Sequence, residues 1–157
     1  MSDKTYAIQD VANWFLHHEE MTHKKLQKLC YYAQAWSLAL NDSKMFNGEF
    51  EAWVHGPVNR PLWNQLKSFG YSIIPSNHFN GVAKPILSKP AYDVLESVWS
   101  TYGKFSGFDL ERLSHSEKPW KEARNGLDEF EATNRVISQQ TMKDYYRSLV
   151  SGDGVGE

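Results

Sequence analysis

Six histidines, at positions 17, 18, 23, 55, 78 and 115, are the residues of this 157-residue chain best suited to hold a metal or move a proton. A zincin-type site needs two histidines four apart on one helix face with a glutamate between them. His18 and His23 are five apart and straddle a break at Met21-Thr22, and no cysteine pair exists, so no metal site is expected. Asp109, Ser114 and His115 have the residue types of a hydrolytic triad. A triad requires convergence in space, whereas neighbours on one short helix point in different directions, and a Gly-x-Ser-x-Gly elbow is missing. Ser114 and Ser116 read more simply as caps for a helix carrying Trp120. The single cysteine, Cys30, lies beside an apolar stripe and reads as an inert small hydrophobe. No phosphate-cradling glycine pattern occurs. The expectation is therefore a protein without cofactor or catalytic activity.

Two stretches are left. His23-Lys24-Lys25, with Lys28, opens a helix with positive charge, against the helix dipole. It reads as an ordinary solvated face, with a contact for an acidic partner as the alternative. The second stretch, EAWVHGPVNRPLW from Glu51 to Trp63, groups two tryptophans, a histidine and two prolines around one glycine. Trp53 and Trp63 read as core anchors, and Gly56-Pro57 as the point where the chain turns. A stiff corner loses little entropy on binding and so preorganises His55 and Arg60. Arginine and aromatic side chains are the types that dominate binding energy at interfaces.

The elements that must position these residues are mainly helices. Ile8, Val11, Ala12 and Phe15 share one face of a helix over about Ile8 to Glu19. Thr22 caps a long central helix with Leu26, Leu29, Ala33, Trp36 and Leu40 at helical spacing, ended by Asn41-Asp42-Ser43. Phe50, Ala52 and Val54 alternate as a short extended segment. Pro61 suits the first turn of a helix from Arg60 to Phe69, stopped by Gly70. A loop from 71 to 87 follows, with a short strand near Ile73. Ser88 caps a helix ending at Gly103; Ser106 or Asp109 opens a short one through Leu113; another carries Trp120 and Ala123. Ser138 caps a last helix with Met142, Tyr145, Tyr146 and Leu149 inward. The expected fold is mostly α, a compact single-domain helical bundle over residues 1–150, with at most a small extended element near 50–55 and a disordered tail from 151 to 157.

The totals agree with a binding module. The net charge is −2, which argues against a nucleic-acid partner, because phosphate contacts usually demand a basic excess. No signal peptide is evident, and no apolar run reaches the roughly 18 residues of a membrane span. A cytoplasmic protein is expected. Aromatic residues make up 14% of the chain, more than a small core readily hides.

Four pieces together carry a resemblance: THKKLQKLCYYAQAW from Thr22 to Trp36; FEAWVHGPV from Phe50 to Val58; Tyr102-Gly103 with Ser106-Gly107 and Asp109-Leu110; and LSHSEKPW from Leu113 to Trp120, followed by Ala123-Arg124. In this order they resemble the Panacea domain, also called the SocA-like antitoxin domain or the phage-associated GepA-like family. The resemblance spans about residues 5 to 150. It implies an antitoxin of a bacterial or phage toxin–antitoxin system that neutralises a toxin encoded by the adjacent gene through direct binding. One member acts instead as an adaptor that delivers its toxin to the ClpXP protease, and this is the alternative. The resemblance implies no enzymatic activity. Some relatives carry an added helix-turn-helix, which this chain is expected to lack. Within the shared pieces Trp53, Gly56, Pro57, His115, Pro119 and Trp120 are expected to maintain the fold. Because the family pairs with many toxins, contacts are expected in less patterned stretches, in the loop from Ser72 to Lys84 (Asn77, His78 and Phe79) and on the outer faces of neighbouring helices, with His55 and Arg60 as separate candidates. Exposed aromatics would serve a homo-oligomer as readily as a foreign partner.

Overall fold

The computed structural model describes residues 4–80 and 86–151. Within them lie seven α-helices and four very short strands, so the chain is mostly α. The centre is α2 (His23–Asn41), which packs against helices on every side. Its first turn is closed by Thr22, whose hydroxyl accepts from Lys25 N at 3.3 Å. Around it lie α1 (Ile8–Leu16), α3 (Arg60–Leu66, continued by a 3-10 turn Lys67–Phe69), α4 (Lys89–Tyr102), α5 (Gly107–His115), α6 (Lys118–Ala123) and α7 (Gln139–Ser151). Ser88 caps α4, and Ser106 with Asp109 forms a reciprocal capping box on α5. Ser138 Oγ accepts from Thr141 N at 3.1 Å at the start of α7.

Because α2 is enclosed, it buries polar side chains as well as its apolar stripe. Gln34 is fully buried; its amide donates to Phe46 O at 2.7 Å and accepts from Met45 N at 2.8 Å. Glu117, 6% exposed, accepts from Tyr32 Oη at 2.8 Å and Tyr146 Oη at 2.7 Å, joining α2, α6 and α7. Burial raises the Glu117 carboxyl above the usual range, and the two phenols offset this only in part.

Strands β1 (Met21–Thr22) and β4 (Ile73–Ile74) form one antiparallel ladder; β2 (Glu51–Trp53) and β3 (Gly56–Val58) form the other. The register pairs Trp53 with Gly56, so the turn is Val54-His55, two residues earlier than the sequence reading placed the reversal, and Gly56-Pro57 lies on the return strand. Gly56 has φ +109°, a value that suits glycine alone, directly after the turn. On the far side of β2, Ala52 N donates to Arg135 O at 2.9 Å and Ile137 N to Phe50 O at 2.8 Å.

Several packing expectations change. Leu40 is 49% exposed, beside a cavity lined by Trp36 and Tyr102, and Leu149 is 36% exposed near the end of α7. Trp53 and Trp63 are half-buried rather than core anchors, meeting edge-on at 5.3 Å. The basic cluster is not a solvated face: His23, Lys25 and Lys28 are buried where α4, α5 and β3 close over the start of α2. Ser151 is the last residue of α7, and the rest of the expected tail lies outside the described residues.

Candidate functional site

The β2–β3 hairpin is held by side chains that grip its backbone. From α2, Gln27 accepts from Asn59 N at 2.9 Å and donates to Asn59 O at 3.0 Å. Asn59 is thereby aimed to cap α3, accepting from Leu62 N at 3.0 Å, and its amide donates to Glu49 O. Arg60 therefore starts its helix from a buried, doubly tied residue. Also from α2, Lys28 Nζ donates to Pro57 O at 3.4 Å. From α6, Trp120 Nε1 donates to Trp53 O at 2.8 Å, and the following Arg124 donates to Ala52 O at 2.7 Å. A side chain on Gly56 would place its Cβ 2.6 Å from Lys28 Cε, so the end of the Lys28 side chain would have to move.

Outside the hairpin lies a cleft of about 580 Å³. Trp53, Val54 and Val58 supply apolar surface, His55 and Arg60 the charged rim, and Ala132, Thr133 and Asn134 the facing wall. Arg60 forms a forked ion pair with Glu51, Nε to Oε2 at 3.1 Å and Nη2 to Oε1 at 2.8 Å. Trp53 Nε1 donates to the same carboxylate at 2.8 Å, and the Arg60 guanidinium lies 5.3 Å from the Trp53 ring centre. His55, with 70% of its side chain exposed, has Nδ1 3.0 Å from Glu111 Oε2 on α5. Glu111 Oε1 accepts from Lys24 at 2.5 Å. The rim is thus charged, partly exposed and fixed in orientation.

The electrostatics follow from burial. Lys28 is driven down to about 7, first by desolvation and then by Lys24, with Glu111 acting against the shift. Burial, helped by Lys28, lowers His23 to about 4. Burial pulls the Glu51 and Glu111 carboxyls upward, but hydrogen bonds from Arg60 and Trp53, and from Lys24 and His55, outweigh it and leave both below the usual value. Burial also lowers His115, whose ring stacks on Trp120 at 3.9 Å.

The residues with reactive potential are otherwise engaged. Asp109 accepts from Ser106 N and pairs with Arg112. Ser114 donates to Glu111 O and Ser116 to Leu113 O, so both close α5 rather than cap α6, whose N-cap Glu117 makes no side-chain capping bond. Cys30 is buried, which pushes its thiol up. Among the described residues no three His, Cys, Asp or Glu side chains are placed to hold a metal ion. No helix among them is long and apolar enough to cross a membrane.

His55 and Arg60 share the cleft rim with Trp53. Pro57 and Gly56 are buried behind it; Trp120 supports it by its bond to Trp53 O, His115 stacks on Trp120, and Pro119 is buried at the start of α6. Asn77, His78 and Phe79 lie apart, in the turn after β4, where His78 packs edge-on against Phe69 and Phe79 and only Asn77 is exposed. Of the expected contact loop, residues 81–84 fall outside the described residues. Sequence reasoning missed the wall at 132–134 and its anchor Arg124. Ala123-Arg124 stood in a shared motif, but its acceptors are main-chain carbonyls and leave no trace in side-chain patterns.

The model of the family described as Antitoxin SocA-like, Panacea domain, matches residues 26–121. That span holds the central helix, the hairpin and the α5–α6 support. The chain is 29% identical over 133 residues to the antitoxin SocA of Caulobacter vibrioides (strain NA1000 / CB15N), an alignment covering 78% of this chain and 70% of that protein. No solved structure matches.

Proposed function

Because the chain belongs to the SocA-like antitoxin family with the Panacea domain, we propose that it is the antitoxin of a bacterial or phage toxin–antitoxin pair, neutralising a toxin encoded beside it by direct binding in the cytoplasm. It works as a binding surface and makes or breaks no covalent bond. The observation that carries this reading is the cleft: half-buried Trp53 under Arg60 and His55, with the backbone behind it pinned by Gln27, Lys28, Trp120 and Arg124. A rigid aromatic surface beside fixed charges gives affinity without an ordering cost. The turn bearing Asn77, His78 and Phe79 is a second, peripheral contact.

Co-expression with the neighbouring reading frame tests the proposal. The frame's product alone should arrest growth, and this chain should restore it while the product's half-life stays unchanged. A harmless product, or arrest that persists, would refute the antitoxin role. Restored growth with a half-life that shortens only when ClpXP is present would replace masking with delivery to the protease.

A further inference from the structure

The two walls of the cleft are built on different principles. The hairpin wall depends on particular residues: Gly56 holds a positive φ that other residues rarely adopt, and Trp53 is locked through Glu51 and Trp120. The facing strap, residues 128–134, is tied to the body through main-chain carbonyls, while Glu131 Oε1 and Thr133 Oγ1 accept local bonds from Asp128 N and Arg135 N. Arg124, 6% exposed, donates to Asp128 O at 3.2 Å, Glu129 O at 3.4 Å and Glu131 O at 2.6 Å as well as to Ala52 O. Arg135 closes the strap by donating to Ala123 O at 3.4 Å and Asn125 O at 2.9 Å, while its own carbonyl pairs with Ala52 N. Every residue type supplies a carbonyl, so the side chains of Ala132 and Asn134, both exposed and lining the cleft, can change without loss of these anchors.

We propose that this strap selects the partner, with Ala132 and Asn134 as specificity-determining positions and Arg124 as the positioning residue. The inference rests on the toxin-docking reading above. The rim also defines what the occupant must carry. Arg60 spends Nε and Nη2 on Glu51, and His55 spends Nδ1 on Glu111. Among the described residues Arg60 Nη1 and His55 Nε2 have no acceptor. The matching toxin segment places an apolar side chain on Trp53 and a carboxylate beside it, at the Arg60–His55 rim. The strap then discriminates by size at Ala132 and by hydrogen bonding at Asn134.

The test uses the full chain and the purified product of the neighbouring reading frame, with affinity measured by calorimetry. Ala132→Trp, which fills the cleft from an exposed position, should weaken binding about tenfold or more, and Asn134→Ala about threefold or more, with Tm unchanged. His55→Ala/Arg60→Ala serves as the rim reference. If the rim variant weakens binding and the strap variants do not, the strap proposal is overturned and the docking site stands. If neither rim nor strap variants change affinity, or the wild-type chain fails to bind, the docking reading fails and this inference with it. A partner-free arm isolates the clamp. Arg124→Gln should speed hydrogen exchange at Ala52 and Ile137 about tenfold while α2 amides keep their protection; unchanged exchange at both would refute the role of Arg124.

Discussion

At the residue scale, Lys28 and Gly56 lie in close contact behind the hairpin, and each makes a separate prediction. Lys28 is 2% exposed and its ammonium has one weak carbonyl partner. Its folded value of about 7 lies below the 10.5 of an ordinary lysine, so between those values the unfolded chain binds more protons. Stability therefore rises as pH climbs from about 7 to 10.5, and the penalty of the buried charge is fully present below that window. Lys28→Met should be neutral or stabilising at pH near 7 and should flatten this rise. Urea unfolding across the window checks it, and an unaltered slope in the variant would count against the assignment. Gly56→Ala should destabilise by about 1 kcal/mol or more, because alanine is strained at this positive φ and its Cβ displaces the end of the Lys28 side chain.

At the scale of elements, the order of connection is α2 to Asn59 to α3. Gln27→Leu would leave the buried Asn59 N–H without its partner and Asn59 O with only Trp63 N, at a cost of about 1–3 kcal/mol. Hydrogen exchange at Leu62 should accelerate more than exchange within α7; equal effects on both would show that Gln27 merely fills space. These connections also separate what the sequence revealed from what it concealed. The caps at Thr22, Ser88 and Ser106 and the helical spacing of Leu26, Leu29 and Ala33 were legible because local geometry decides them. The buried state of His23, Lys25 and Lys28 was not, since only the elements closing over α2 take a polar turn out of water. The hairpin's reversal was read at Gly56-Pro57 because both residues are strong turn formers; the ladder to Trp53 and Ala52 instead recruits them into β3. Arg124 and the 132–134 wall left no pattern at all, since carbonyl acceptors are common to every residue.

At the scale of the whole molecule, the shared motifs come together in space. The central helix, the hairpin and the α5–α6 segment converge on one cleft within the span the family model matches, while the facing wall at 132–134 lies outside that span. Such a frame serves recognition, because a rigid scaffold can carry different contacts without refolding. The binding isotherm with the purified neighbouring gene product tests this claim most directly, comparing wild type with His55→Ala/Arg60→Ala at matched stability. The account predicts a stoichiometric complex for the wild-type chain and an affinity lowered about tenfold or more by the rim substitutions. A wild-type chain that forms no complex, or a rim variant that binds as tightly as the wild type, would contradict it.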